Sequence, residues 1–125
     1  MPKEHWKSEP DEHDFPAAGN YLSLILPQAA VEATVAALRA APLSHGLAKD
    51  LLRASALPLL GHKNVHVGKD LAQVKAGLRL SPVLLVRGDL GRGVALTVAD
   101  GYHRICASHY LDEDAVIPYR VVDLG

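Results

Sequence analysis

The transition from strand to helix at residues 99–104 is the feature that most constrains this fold. These residues read Ala-Asp-Gly-Tyr-His-Arg, with an apolar run at 94–98 before them and a helix-like run at 105–111 after them. The first N–H groups of a helix have no partner within the helix, and the macrodipole adds partial positive charge there. The sequence therefore predicts a phosphate or carboxylate site at this turn, with His103 and Arg104 as side-chain donors.

Length and composition indicate one ordinary globular domain. The chain has 125 residues, of which 49% are hydrophobic and 22% charged, so it can bury a core of its own. We find no apolar stretch near the ~20 residues that cross a membrane, and no signal-like start. The single cysteine, Cys106, rules out an internal disulfide. We expect a cytoplasmic protein without membrane contact, and a homo-oligomer stays open.

Charge is unevenly distributed along the chain. The formal net charge is −1, which makes DNA an unlikely partner. Between Arg39 and Arg104, however, lysines and arginines clearly outnumber the acids. This excess favours a small anionic ligand, and an ordinary solvated surface of mixed charge is the alternative.

The sequence of the first third of the chain predicts a flexible N-terminal segment followed by helices. Residues 1–20 are rich in proline and charge, which is typical of an extended or disordered arm. Residues 21–43 form a predicted helical segment, with a short helix at 21–26 and a longer one at 28–41. Further helices are expected at 49–56 and 67–76.

The remainder predicts a small sheet packed with helices. Short apolar runs at 82–86, 94–98 and 117–122 indicate strands. The glycine-rich stretch 88–93 indicates a hairpin connection, and residues 102–111 are predicted to form a helix. This order favours an α+β (α/β) fold with a small mixed sheet, its main domain spanning residues 44–125.

Four sequence pieces in order resemble the ParB/sulfiredoxin superfamily. They are Ser81-Pro82 before an apolar strand, a strand ending in Asp100-Gly101, a helix opening with Tyr102-His103-Arg104, and a strand containing Ile117-Pro118. The resemblance covers about residues 44–123. It implies the ParB/sulfiredoxin fold in a stand-alone, single-domain form and a nucleotide triphosphate, ATP or CTP with Mg²⁺, as ligand.

The resemblance also assigns roles to residues. Gly101, Tyr102, His103 and Arg104 correspond to the phosphate-binding turn, while Ser81 and Pro82 correspond to the wall near the base or sugar. The activity implied is that of an NTPase or phosphotransferase. Independently of the family, His66 and Lys69 at a predicted helix start reach the same anion in one interpretation. In the other, Lys69 and Asp70 are ordinary surface residues of the first helical turn.

Departures from the family pattern narrow the expected activity. Tyr102 stands where sulfiredoxins carry their nucleophilic cysteine, so that activity is not expected. A helix-turn-helix domain is not recognisable, which disfavours a role in DNA partition or as a nuclease. A non-catalytic regulatory or protein-interaction module is therefore the alternative to an enzyme.

Asp100 and His103 are the candidate catalytic residues. Asp100 is a candidate magnesium ligand or base, and a helix cap is its structural alternative. His103 is a candidate proton carrier because imidazole titrates near neutrality, and an exposed histidine without a role is the alternative. Arg104 binds phosphate in the functional interpretation and pairs with a nearby carboxylate in the structural one.

Overall fold

A computed structural model describes residues 5–61 and 63–124, and this part of the chain forms five α-helices and a four-stranded sheet. The helices are α1 (Asp14–Leu22), α2 (Gln28–Ala40), α3 (Ala48–Ser55), α4 (Val65–Lys75) and α5 (Tyr102–Leu111). The strands are β1 (Ser44–Leu47), β2 (Val83–Val86), β3 (Thr97–Asp100) and β4 (Val116–Val122). None of the helices in these ranges is long and apolar enough to cross a membrane.

The sheet is mixed, as the sequence predicts. Its strand order is β1-β4-β2-β3, with β2 parallel to β4 and antiparallel to β3, and β1 antiparallel to β4. Leu84 of β2 lies opposite Asp100 of β3 and Arg120 of β4. The predicted α+β fold class with a small mixed sheet is therefore confirmed.

Helices cover both faces of the sheet, and β2 shows why. Val83 and Leu85 point into a core that includes Ile105 of α5, whereas Leu84 and Val86 point into a second core with α1 and α2. Successive side chains of a strand point to opposite faces, so a strand covered on both faces is apolar at every position. The continuous apolar run at 82–86 follows from this.

The predicted extended or disordered arm at residues 1–20 is wrong for its second half. Residues 14–20 belong to α1, in which Phe15, Ala18 and Leu22 are buried at helical spacing. Upstream, Trp6 is buried and bridges Leu80. Proline is tolerated in the first turn of a helix, so Pro16 does not interrupt α1. Residues 1–4 lie outside the described part.

Other element predictions differ in extent. The helix at 28–41 is confirmed as α2 and the helix at 102–111 as α5, but the helix at 21–26 is wrong because α1 ends at Leu22. Strand β3 begins at Thr97 rather than at residue 94, since Leu96 donates its N–H to Ala54 O instead of the sheet. The edge strand β1 was not predicted.

Candidate functional site

The turn from β3 into α5 requires a glycine. Gly101 has φ of +110°, and a Cβ atom there would lie 2.8 Å from Cβ of Val83 and closer still to its Cγ1. No described side chain caps the α5 N-terminus, so Asp100 does not act as the cap. The close approach to β2 fixes where the first turn of α5 points.

A cavity of about 500 Å³ opens beside this turn. It lies between the start of α1, one face of α4, and the first turn of α5. All the predicted site residues except Tyr102 and Pro82 line this cavity. The lining residues among them are Ser81, His66, Lys69, Asp100, Gly101, His103 and Arg104. The further lining residues are Lys7, Asp11, His13, Asp14, Ala17, Asp70, Gln73, Arg79 and Leu80.

Two histidines from different helices meet in the cavity. The ring centroids of His66 in α4 and His103 in α5 are 4.7 Å apart. Burial lowers the pKa of His103, and the neighbouring His66 lowers it further. Lys69 follows His66 on α4 and lines the same cavity. The structure thus places His66 against His103 and Lys69 on the wall of the same cavity.

Arg104 does not present a free guanidinium to the cavity. Its side chain is 13% exposed, and its Nη2 atom lies 2.5 Å from Oδ2 of Asp100. Its Nη1 atom donates to Ser81 O at 2.5 Å and lies 3.4 Å from Oδ2 of Asp14. Pairing with carboxylates, the structural alternative, is therefore what the geometry supports for this arginine.

Asp14 is a site residue that sequence reasoning missed. Its side chain is only 7% exposed, and it accepts a hydrogen bond from the Ser81 hydroxyl. Ser81 is itself buried, so this hydroxyl is committed to Asp14 and Arg104. Asp14 and Ser81 are 67 positions apart, and no local pattern connects them.

Asp14 affects the ionisation of Asp100, the other carboxylate beside Arg104. Burial raises the pKa of Asp100 to about 6, and the nearby Asp14 raises it while Arg104 opposes the shift. Two carboxylates thus share one guanidinium in a partly desolvated place, and such sites favour the protonated form of one acid.

These residues do not fit a magnesium ion at Asp100. The guanidinium of Arg104 already occupies the position next to Oδ2 of Asp100, at 2.5 Å. Magnesium needs near-octahedral oxygen coordination, and a cation beside its ligand would repel it. The expected metal role of Asp100 is therefore not supported by the geometry.

One group of potential metal ligands exists among the described residues. Ligand atoms of Asp11, His13 and Asp14 lie within 4.8 Å of one another. Asp11 pairs with Lys7 at 2.7 Å, and Asp14 is held by Ser81 and Arg104. The side chain of His13 is 81% exposed. Because both carboxylates have protein partners, we assign no ion to this group.

Two predicted site residues point elsewhere. The Tyr102 hydroxyl donates to the carbonyl of Pro58, and its ring packs against the core that contains Ile105. Pro82 is buried immediately before β2. Neither residue reaches the cavity, because the close turn at Gly101 directs the Tyr102 side chain toward the loop after α3.

Three further lining residues were not proposed as site residues from the sequence. Arg79, like Lys69, is exposed and has no ion pair within the described chain. Asp70 is half-buried on α4, and burial raises its pKa. Gln73 follows one turn later on the same helix. The basic character of residues 63–79 was the signal that a search for cations could have used.

Comparisons with protein-family models, curated proteins and solved structures found no match for this chain. What the fold and site define is an α+β protein with a polar cavity between α4 and the start of α5.

Proposed function

We propose that this protein binds a small phosphate-bearing ligand in the cavity between α4 and α5. The observation that carries the proposal is the convergence of His66, Lys69 and His103 on one cavity of about 500 Å³. The sequence alone leaves open whether His66 and Lys69 reach the same anion as His103. Cavities of this volume are typical of small-molecule sites.

The donors for the phosphate come from α4, the segment after α4, and α5, and they exclude Arg104. Lys69 and Arg79 supply charge that no described carboxylate neutralises through an ion pair. His66 and His103 add ring N–H donors, and the uncapped start of α5 adds backbone N–H groups. Arg104 instead holds Asp14 and Asp100 in place, so it shapes the cavity wall.

The ParB/sulfiredoxin resemblance makes a nucleotide the first ligand class to test. On that resemblance the activity is that of an NTPase or phosphotransferase, with His103 and Asp100 as proton carriers. A non-catalytic regulatory module is the second candidate, and the engagement of Asp100 and Arg104 with each other favours it. DNA partition or a nuclease role stays the least favoured. A cytoplasmic location remains our expectation from the single cysteine.

The test is ligand binding with a matched lysine pair. Isothermal titration calorimetry with orthophosphate, ATP and CTP, each with and without Mg²⁺, measures affinity in wild type, Lys69→Ala and Lys75→Ala. Lys75 is exposed on the same helix but does not line the cavity. Loss of one charge-assisted contact weakens binding roughly tenfold or more. We expect that loss for Lys69→Ala and no change for Lys75→Ala.

His103→Ala provides an independent arm from the second helix. At a pH where the imidazole is neutral, His103→Ala should weaken phosphate binding. The loss of affinity should be smaller than that caused by Lys69→Ala. The proposal fails if wild type binds none of these ligands at millimolar concentration. It also fails if the two lysine variants lose affinity equally, since that result would indicate general surface attraction.

A further inference from the structure

The carboxylate of Asp70 stands without a partner among the donors of the proposed phosphate site. It is half-buried on α4, and within the described residues it forms no hydrogen bond or ion pair. The charged groups that act on it are Arg104, His103, Lys69 and His66. A half-buried acceptor without a partner costs free energy unless a ligand or water donates to it.

A carboxylate beside an anion site selects for a particular kind of ligand. It repels a phosphate oxygen, but it accepts a hydrogen bond from a hydroxyl group of the same ligand. An ammonium group is a poorer occupant, because the cationic groups around Asp70 would repel it. The cavity thus combines donors for a phosphate with an acceptor for a hydroxyl.

The lining offers little surface for a nucleobase. Its described apolar side chains are Ala17 and Leu80, and its only rings are those of histidines. His66 and His103 already pack against each other. Bases bind proteins largely by stacking on aromatic or apolar side chains. Ser81 and Pro82, the wall expected near a base, are both buried.

We infer that the cavity is specific for a hydroxylated phosphate monoester, a sugar or polyol phosphate, with Asp70 as the acceptor for a ligand hydroxyl. This inference rests on the proposed phosphate site and adds the chemical class of the group that carries the phosphate. Gln73, one turn after Asp70 on the same cavity wall, supplies an amide that can bind a second hydroxyl.

Asp70→Ala gives the test because it acts in opposite directions on two ligands. Calorimetry near neutral pH measures the affinities of orthophosphate, ribose 5-phosphate and AMP. The variant should bind ribose 5-phosphate roughly tenfold or more weakly, since a charge-assisted hydrogen bond is lost. It should bind orthophosphate equally or about twofold to fivefold more tightly, because a nearby negative charge is removed.

Two control variants separate contact from charge. Asp50→Asn removes an exposed carboxylate on α3, outside the cavity, and should change neither affinity. Asp70→Asn keeps an acceptor oxygen without the charge, so its affinity for ribose 5-phosphate should lie between those of wild type and Asp70→Ala. Thermal unfolding of each variant checks that it is folded.

Each contrary result would overturn a different part of this inference. If Asp70→Ala tightens or leaves unchanged the binding of ribose 5-phosphate, Asp70 does not contact a hydroxyl. If wild type binds ribose 5-phosphate no better than orthophosphate, or AMP roughly tenfold better than ribose 5-phosphate, the sugar-phosphate class is wrong while the phosphate site stands. If orthophosphate, ribose 5-phosphate and AMP all fail to bind, this inference falls. If ATP and CTP fail to bind as well, the proposed function falls with it.

Discussion

The Nη1 atom of Arg104 lies 3.4 Å from Oδ2 of Asp14, although the two residues are 90 positions apart. This contact ties the start of α1 to the start of α5, and the same guanidinium also holds Asp100 at the end of β3. The guanidinium of Arg104 in α5 therefore connects α1, β3 and α5. The residue that sequence reasoning favoured as a ligand donor instead stabilises the fold around the cavity.

Arg104→Ala should destabilise the protein strongly. Removing one partner of a buried ion pair leaves an uncompensated charge and costs about 3–5 kcal/mol. Here two carboxylates, Asp14 and Asp100, would lose their shared partner. Urea denaturation measures the free energy of unfolding. Arg53→Ala is the control, because the Arg53–Asp50 pair is exposed and such pairs contribute about 0–1 kcal/mol. Similar costs for the two variants would contradict the structural role of Arg104.

Asp100 should make stability fall as pH rises. Its pKa in the folded protein is raised to about 6, above the roughly 3.9 of an unfolded chain. In the window between these values the folded state binds more protons, so the free energy of unfolding decreases with rising pH. A pKa difference of this size corresponds to about 2–3 kcal/mol.

Asp14→Asn isolates this effect. Without the neighbouring negative charge, Arg104 holds Asp100 ionised more readily, so the decrease from about pH 4 to about pH 6 should shrink. The lowered pKa of His103 acts in the opposite sense, because there the unfolded state binds more protons. That contribution is common to both proteins and cancels in the difference. Parallel stability curves for wild type and Asp14→Asn would refute the coupling.

Local sequence signals predicted α5 to the residue and β4 to within one residue. Gly101 marks the helix start, and the apolar run at 117–122 lies in a strand that pairs with β1 on one side and β2 on the other. Edge strand β1 escaped prediction because Ser44-His45-Gly46-Leu47 has neither an apolar run nor strict alternation. Helix α1 escaped because proline and charge around it outweighed the spacing of Phe15, Ala18 and Leu22.

In the candidate site too, some residues could be predicted from local sequence and others could not. His103 and Gly101 follow from the local turn, and His66 and Lys69 follow from their place at a helix start. The roles of Asp14 and Arg104 depend on a contact between distant parts of the chain, which only the packing of α1 against β3 produces. No composition or spacing within either segment carries that information.

Phe15→Ala should show that α1 is part of the core. Phe15 is 5% exposed and packs with Leu22, Val31 and Leu84. Replacing a buried phenylalanine by alanine costs about 3–5 kcal/mol through lost burial and the cavity left behind. Pro16→Ala, at an exposed position of the same turn, should change the free energy of unfolding by less than about 1 kcal/mol. A loss below about 1 kcal/mol for Phe15→Ala would indicate that α1 is only loosely docked.

Gly101→Ala should destabilise the turn that orients α5. A Cβ atom at this position meets the Val83 side chain, 2.8 Å from its Cβ, and φ is +110°. Backbone strain of roughly 1–2 kcal/mol and overpacking of roughly 1–3 kcal/mol give an expected cost of about 2–5 kcal/mol. Gly77→Ala separates the two causes, because Gly77 also has a positive φ but no atom within 4 Å of its added Cβ. That variant should show the strain alone, roughly 1 kcal/mol. Equal costs in urea denaturation would mean that the contact with Val83 relaxes freely, and that β2 does not fix the position of the α5 N-terminus.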